Sequence, residues 1–144
     1  QGEGHVGELL LGELVAVDRA IELHPVDAVG NGRLQAIAGS TQKKLADMTL
    51  ALGNGMLLAL HLGRLKDADG IRPEQVSLGK LHNARAALEI ARECRSILGG
   101  NGITLEYPVI RHMNNLESVF TYEGTNEMHT LVIGEALTGL PAYR

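Results

Sequence analysis

The sequence has 144 residues, a net charge of −4 and a pI near 5.8. This length indicates one domain with room for a hydrophobic core, and the acidic balance argues against nucleic acid, which binds to basic surfaces. The uninterrupted apolar stretches are far shorter than the ~20 residues that span a bilayer, so we expect no membrane partner. A single cysteine, Cys94, excludes an internal disulfide and fits a reducing compartment, either the cytoplasm or, in a eukaryote, the mitochondrial matrix.

The first half of the chain predicts two helices. The segment from His5 to about Leu23 is rich in leucine and is followed by Pro25. Ser40 is a suitable cap for a long second helix, in which small and apolar residues recur at spacings of three and four. These residues are Leu45, Met48, Leu52, Met56, Ala59 and Gly63. Because Gly53 costs ~1 kcal/mol relative to alanine inside a helix, as does Gly55, we expect a neighbouring helix to approach closely there.

A third helix is expected after the break at Lys66–Gly70. Pro73 and Glu74 suit its first turn, and Gly99–Gly100 suits its end after Leu98. The helix carries two overlapping apolar stripes, whereas contact with a single core needs only one. The stripes are Leu81, Ala84, Leu88, Ala91 and Leu98, and Val76, Ala87, Ile90, Cys94 and Ile97. They predict burial on two sides, by other helices or by another subunit.

The last third of the chain predicts two short helices. One begins at Pro108–Ile110, and the other begins at Thr125 and reaches about Thr138. No strand-like alternation longer than a few residues occurs, so we predict an all-α fold, an antiparallel bundle of four to five helices. The expected core residues are Leu45, Met48, Leu52, Met56, Leu81, Leu88 and Ile97.

Most chemically capable side chains are weak candidates for a site. The six histidines include no Glu-x-x-His pair, the helical signature of di-iron bundles, so we expect no metal site. Cys94 lies mid-helix on an apolar stripe, where it behaves as a small hydrophobic residue. The loop Gly99–Gly102 follows a helix and is therefore not a dinucleotide fingerprint. It is either a helix stop with a turn, or a place where glycine lets backbone N–H groups contact a cofactor.

The segment Tyr122–His129 is the strongest candidate. Glu123 is followed by Gly124, and Thr125 suits the start of the apolar run that follows. A carboxylate just ahead of a helix can accept a proton, and the helix start offers free N–H groups to an anion or a carbonyl. The alternative interpretation is a capped helix without chemistry.

Five motifs occur here in the order found in the C-terminal domain of flavin-dependent acyl-CoA dehydrogenases. They are Gln42–Met48, Leu62–Asp67, Leu98–Ile103, Glu106–His112 and Thr121–Thr125. Residues 41–144 therefore resemble the helical bundle of that family, and within it they look most like glutaryl-CoA dehydrogenases, on Leu62–Asp67 and Asn114–Glu117. Residues 1–40 form a divergent N-terminal helix and loop, in which only Gly32, Arg33 and Ala36 are in register with the family's flavin segment. Family members also carry an N-terminal helical domain and a middle β domain.

The resemblance implies an activity and a role for particular residues. Glu123 is the expected catalytic base, which removes the α-proton of an acyl-CoA thioester. Gly124 leaves room for the thioester, and Tyr143 lies against coenzyme A. The expected FAD contacts are Ser96, Ile97, Leu98, Gly99, Gly100, Thr125 and Glu127. In the glutaryl type, loss of CO₂ follows the dehydrogenation and gives crotonyl-CoA.

The resemblance also implies partners. Electron-transfer flavoprotein is the expected electron acceptor, and the chain is expected to form a dimer or tetramer of identical subunits. A second hypothesis is a stand-alone helical oligomerisation module that has lost catalysis. The retained Tyr122–Thr125 favours the enzyme, and the divergent residues 1–40 favour the module.

Overall fold

The computed structural model describes residues 34–142, with side chains from Gly39 onward. The helix predicted from His5 to Leu23 and the expected coenzyme A contact Tyr143 lie outside the described residues. Within them the chain forms four α-helices and a 3₁₀ turn, and no strand occurs in this part. These are α1 Leu34–Asp67, α2 Pro73–Ile97, the 3₁₀ turn Gly99–Ile103, α3 Val109–Thr121 and α4 Asn126–Thr138. The all-α prediction is confirmed.

The helices α1 and α2 lie antiparallel, joined by a short turn at residues 68–72. Lys44 Nζ lies 2.7 Å from a Glu93 carboxylate oxygen, and Asn83 Nδ2 donates to the Gly55 carbonyl at 3.2 Å. Residue numbers therefore fall along α2 as they rise along α1. The partners in such pairs are far apart in the sequence, so the pairs fix how the two long helices align.

Helix α2 is the central element, with α1, α3 and α4 packed against it. Arg92 of α2 pairs with Glu117 of α3 at 3.1 Å, and α3 ends beside Lys80, nearer the start of α2. This order makes α3 antiparallel to α2, and α4 begins close to the same part of α2, because Lys80 also donates to the Gly124 carbonyl.

The core is formed by the faces that α1 and α3 turn towards α2. Both apolar stripes of α2 are buried in the middle of that helix, so the burial on two sides comes from helices of the same chain. The buried apolar residues of the core are Met48, Leu52, Ala87, Leu88, Ile90, Ala91 and Leu116.

Two of the expected core residues are wrong. Met56 is 53% exposed and Ile97 is 39% exposed. The buried face of α1 passes through Leu52 and Gly55, and Met56 is rotated ~100° from Gly55 around the helix. Because apolar residues lie on more than one face of α1, their spacing alone did not select the buried face. Ile97 lies in the last turn of α2, beyond the buried apolar residues of that helix.

The starts of the helices were predicted unevenly. Pro73 is the first residue of α2, as expected, and the N–H of Arg72 donates to Gln75 Oε1 at 2.9 Å. The cap expected at Ser40 is wrong, because Ser40 lies inside α1, which includes Leu34–Asp67. The proposed boundary between residues 40 and 41 therefore falls inside a helix.

The close helix approach expected at Gly53 and Gly55 occurs at Gly55, which is buried and accepts from Asn83 of α2, but not at Gly53. A Cβ at Gly53 would meet no atom within 4 Å among the described residues, whereas one at Gly79 would overlap the Leu62 side chain. Leu62 of α1 therefore fills the space that the missing side chain of Gly79 leaves on α2. This contact keeps the helices close near the turn that joins them.

Part of α1 is apolar and uncovered by the rest of the described chain. Leu50, Leu57 and Leu60 are 65%, 67% and 51% exposed. The stretch Gly39–Asp67 is, by length and composition alone, long and apolar enough to cross a membrane, a criterion that helices of soluble proteins also meet.

Candidate functional site

The loop Tyr122–Thr125 connects α3 to α4. Thr125 has an extended backbone, and its hydroxyl accepts from the N–H of Met128 at 3.4 Å. It is therefore the N-cap of α4, and the predicted start of this helix is confirmed.

Glu123 lies in this loop in an unusual conformation. Its φ is +56°, and Gly124 follows with a φ of +96°. The left-handed region costs a residue other than glycine ~1–3 kcal/mol, and such strain concentrates at functional sites. The Glu123 side chain is exposed. The loop thus presents a carboxylate to solvent from a backbone that surrounding contacts must hold in place.

A side chain at Gly124 would collide with His129 in this arrangement. A Cβ there would lie 2.8 Å from His129 Nε2 and 2.9 Å from His129 Cε1. The His129 ring therefore packs directly against the Cα of Gly124. Burial, and then the charge of Lys80, lower the pKa of the His129 imidazole, which favours its neutral form beside the loop.

Lys80 of α2 binds the loop through its ammonium group, on the buried side. The side chain is 2% exposed, and its ammonium group donates to the Tyr122 carbonyl and to the Gly124 carbonyl, each at 2.8 Å. Burial lowers the pKa of Lys80, and the charge of Glu123 opposes that shift. The two acceptors are the carbonyl groups on either side of Glu123.

The sequence interpretation missed Lys80, although a signal was present. Ser77, Lys80, Ala84 and Ala87 are spaced by three, four and three, and all four are buried. A lysine on a buried helical face needs partners there, because an unpaired buried charge is strongly unfavourable. Asn126 was also missed: it is 3% exposed, and neither side-chain amide atom has a hydrogen-bond partner among the described residues.

The glycine loop lies at the other end of α2. Gly99 has a φ of +59° and ends the helix, as expected from its position. A Cβ at Gly99 or at Gly100 would meet no atom within 4 Å among the described residues, so this backbone is open to a ligand. Ser96 Oγ accepts from Lys44 Nζ at 3.1 Å, and Leu98 is half-buried.

The expected site residues form two separate groups. Glu123, Gly124, Thr125 and Glu127 lie together because they are neighbours in the sequence. Ser96–Gly100 lie sixteen or more positions beyond Lys80 along the chain, a distance of ~24 Å to the nearer end of the group along α2. The described structure therefore does not bring the glycine loop into contact with Glu123. No group of three His, Cys, Asp or Glu side chains suited to a metal ion was found among the described residues.

Comparison with known proteins identifies the family. The sequence profile "Acyl-CoA dehydrogenase, C-terminal domain" matches residues 15–138. A glutaryl-CoA dehydrogenase from Mycobacterium smegmatis in complex with FADH2 is 56% identical, with a TM-score of 0.85 over 96% of this chain and 37% of that chain. The butyryl-CoA dehydrogenase of Megasphaera elsdenii is 30% identical, with a TM-score of 0.80 over 92% of this chain and 34% of that chain.

Relatives found by sequence similarity belong to the same family. The mitochondrial short-chain specific acyl-CoA dehydrogenase of Bos taurus is 38% identical over 112 residues, which are 78% of this chain and 26% of that protein. The chain thus spans about a quarter of the length of this relative. The profile match begins at residue 15 and so includes part of the segment 1–40 that the motifs alone set apart. The chain belongs to the family of acyl-CoA dehydrogenase C-terminal domains.

Proposed function

We propose that this chain is the catalytic-base domain of an FAD-dependent acyl-CoA dehydrogenase. The observation that carries the proposal is the exposed Glu123 carboxylate, presented by a left-handed backbone just ahead of α4. In this role Glu123 removes the α-proton of an acyl-CoA thioester. General base catalysis of this kind typically contributes ~10²–10⁴-fold to the rate.

The neighbouring residues fit a substrate at this loop. We assign Gly124 to the thioester on the family resemblance, and the His129 ring fills the position that a Cβ of Gly124 would take. The first turn of α4 carries backbone N–H groups without partners inside the helix, apart from the one that Thr125 caps. We assign Tyr143 to coenzyme A on the family resemblance.

The residues at the end of α2 suit a flavin cofactor. The open backbone of Gly99 and Gly100 allows a flat or extended ligand to lie against it, since no atom of residues 34–142 fills that space. We assign the FAD contacts to Ser96–Gly100, and those near the base to Thr125 and Glu127. Bound FAD supplies the acceptor for the hydride that leaves the β-carbon of the substrate.

Within the family we favour the glutaryl type. Support comes from the 56% identity to the Mycobacterium smegmatis glutaryl-CoA dehydrogenase, against 38% to the bovine short-chain enzyme. The motifs Leu62–Asp67 and Asn114–Glu117 point the same way. The substrate is then glutaryl-CoA, which loses CO₂ after dehydrogenation. A complete enzyme containing this chain should release CO₂ from glutaryl-CoA and oxidise butyryl-CoA slowly; the reverse preference would assign it to the short-chain type.

The partners and the compartment follow from the same proposal. The acceptor of the flavin electrons is an electron-transfer flavoprotein, and the exposed apolar face of α1 associates with other copies of the chain. We expect neither nucleic acid nor a membrane as partner. The relatives include a mitochondrial enzyme. We propose the mitochondrial matrix if the chain is eukaryotic and the cytoplasm if it is bacterial.

The decisive experiment removes the carboxylate from a complete enzyme that contains this chain. We expect Glu123→Gln to bind FAD and acyl-CoA while flavin reduction slows by at least ~100-fold, because the amide cannot accept the proton. Glu117→Gln is the matched control, since Glu117 is an exposed carboxylate of α3 outside the loop, and it should reduce flavin at the parent rate. If the Glu123→Gln enzyme bleaches its flavin at the parent rate, Glu123 is not the base. A parent enzyme without flavin reduction would leave the oligomerisation module as the better hypothesis.

A further inference from the structure

Lys80 has a buried ammonium group whose hydrogen bonds go to the peptide backbone. Both hydrogen bonds of its Nζ atom go to main-chain carbonyl groups, and the side chain is 2% exposed. Lysine is almost never buried to this extent without partners, because an ammonium ion loses its hydration there. The partners are the carbonyl groups of Tyr122 and Gly124, each at 2.8 Å.

The positions of these two carbonyl groups matter more than their number. They belong to the residues directly before and after Glu123, so the single ammonium group of Lys80 fixes the backbone on both sides of Glu123. Glu123 itself has a φ of +56°, a conformation that persists only where the surroundings enforce it. Charge-assisted hydrogen bonds are stronger than neutral ones, which suits this purpose.

A second contact, from His129 of α4, holds the loop on the side opposite Lys80. The His129 ring lies against Gly124, close enough to exclude any side chain there. The loop is therefore held between Lys80 of α2 and His129 of α4, while the Glu123 side chain remains exposed.

We propose that Lys80 is a positioning residue for the base: its two hydrogen bonds hold Glu123 in the left-handed conformation and so fix the direction of the carboxylate. This inference rests on the proposed function, in which Glu123 removes a proton. A base displaced by ~1 Å can lose ~10²-fold in rate, because proton transfer depends on the approach of the two atoms.

A purely structural role is the alternative. Tyr122 caps the C-terminal end of α3, and a cation near the last carbonyl groups of a helix is favourable in any protein. A cap of this kind would stabilise α3, but it would not alter the rate of proton removal once the enzyme is folded and loaded. The two roles therefore differ in what they change.

The first experiment uses the 144-residue chain and does not depend on catalysis. In Lys80→Met the ¹⁵N relaxation of the Glu123 and Gly124 amides should show fast motion, while the amides of the α2 core stay rigid. Lys43→Met, at an exposed position of α1, should change neither. A loop that stays as rigid in Lys80→Met as in the parent overturns the proposal. If Lys80→Met does not fold, the parent chain decides: its Lys80 ammonium protons should exchange slowly with water, and rapid exchange would exclude the two hydrogen bonds.

The second experiment uses the complete enzyme in rapid mixing with acyl-CoA. In Lys80→Met we expect the limiting rate of flavin reduction to fall by ~10–100-fold, with FAD content unchanged and the substrate dissociation constant within about twofold. Lys80→Arg, which keeps a cation, should recover part of the rate. A Lys80→Met enzyme that reduces flavin at the parent rate overturns the proposal and leaves the proposed function intact. A parent enzyme that acyl-CoA does not reduce would refute the proposed function, whereas the loop measurements would still report on the two hydrogen bonds.

Discussion

At the residue scale, the site depends on the side chain that Gly124 lacks. The left-handed φ of this glycine and the contact with His129 both disfavour a Cβ at this position. Glutamate before it tolerates a positive φ only because the surroundings hold the loop. The pair Glu123 and Gly124 therefore acts as one unit, in which the second residue makes the conformation of the first possible.

Gly124→Ala should destabilise the chain by ~1–3 kcal/mol, because the new methyl group meets the His129 ring and the alanine has to adopt a strained positive φ. Urea unfolding followed by circular dichroism measures this change. Gly53→Ala is the matched control: the position is helical, nothing lies within 4 Å of the added Cβ among the described residues, and the free energy of unfolding should rise by ~0.5–1 kcal/mol. Equal effects of both substitutions would contradict the contact with His129.

The sequence predicted only part of this site. Glu123, Gly124 and Thr125 are adjacent, so one short motif names all three. Lys80 lies 42 positions before Tyr122, and a lysine in a helix normally faces solvent. Only the fold shows that it turns inward, because that depends on how α2 packs against the ends of α3 and α4.

At the element scale, the start of α2 and the glycine stop after it were predictable because local chemistry marks them. Pro73 opens the helix and Gly99 ends it, each through its own backbone geometry. Ser40 was mistaken for a cap because serine is a frequent N-cap, whereas here it lies inside α1. The buried face of α1 was also ambiguous, since its apolar residues extend to solvent-exposed positions such as Met56.

The 3₁₀ turn after α2 offers a test of close packing. At Gly102 a Cβ would lie 3.0 Å from the Arg95 Cα and would also overlap the Arg95 carbonyl oxygen. Because backbone atoms cannot move aside as a flexible side chain can, Gly102→Ala should destabilise the chain by ~1–3 kcal/mol. Gly100→Ala, in the same turn with open space around it among the described residues, should change stability by less than ~1 kcal/mol. Thermal unfolding of both variants measures the difference, and a stable Gly102→Ala chain would show that the turn does not pack this closely.

At the scale of the whole molecule, α1 carries apolar surface that the described chain does not cover. Leu57 is 67% exposed and Leu50 is 65% exposed. Two apolar stripes on α2 predicted association, but the chain's own helices bury the middle of both. The outer face of α1 is therefore a candidate surface for association, and Leu137 and Leu140 near the end of the described chain are exposed as well, at 82% and 70%.

We expect the chain to sediment as a dimer or larger species at high micromolar concentration, since large exposed apolar patches usually mark interfaces. The double substitution Leu57→Glu and Leu60→Glu should shift it to a monomer, because two charges cannot be buried without partners in the interface. Asn115→Glu on the exposed surface of α3 is the control and should leave the distribution unchanged. A monomeric parent chain would exclude association through α1 at that concentration.

The central position of α2 sets how the chain tolerates changes in its length. This helix carries Lys80, beside the loop of Glu123, near one end, and the open backbone of Gly99 follows its other end. The length of α2 between Lys80 and Gly99 therefore sets the distance between the Glu123 loop and the glycine loop. One residue inserted between them would shift one group by ~1.5 Å and turn it by ~100° relative to the other. The exposed turn at residues 68–70 has no such role, since it precedes both Lys80 and Gly99 in the chain. Insertions should therefore be accepted at that turn and rejected within α2.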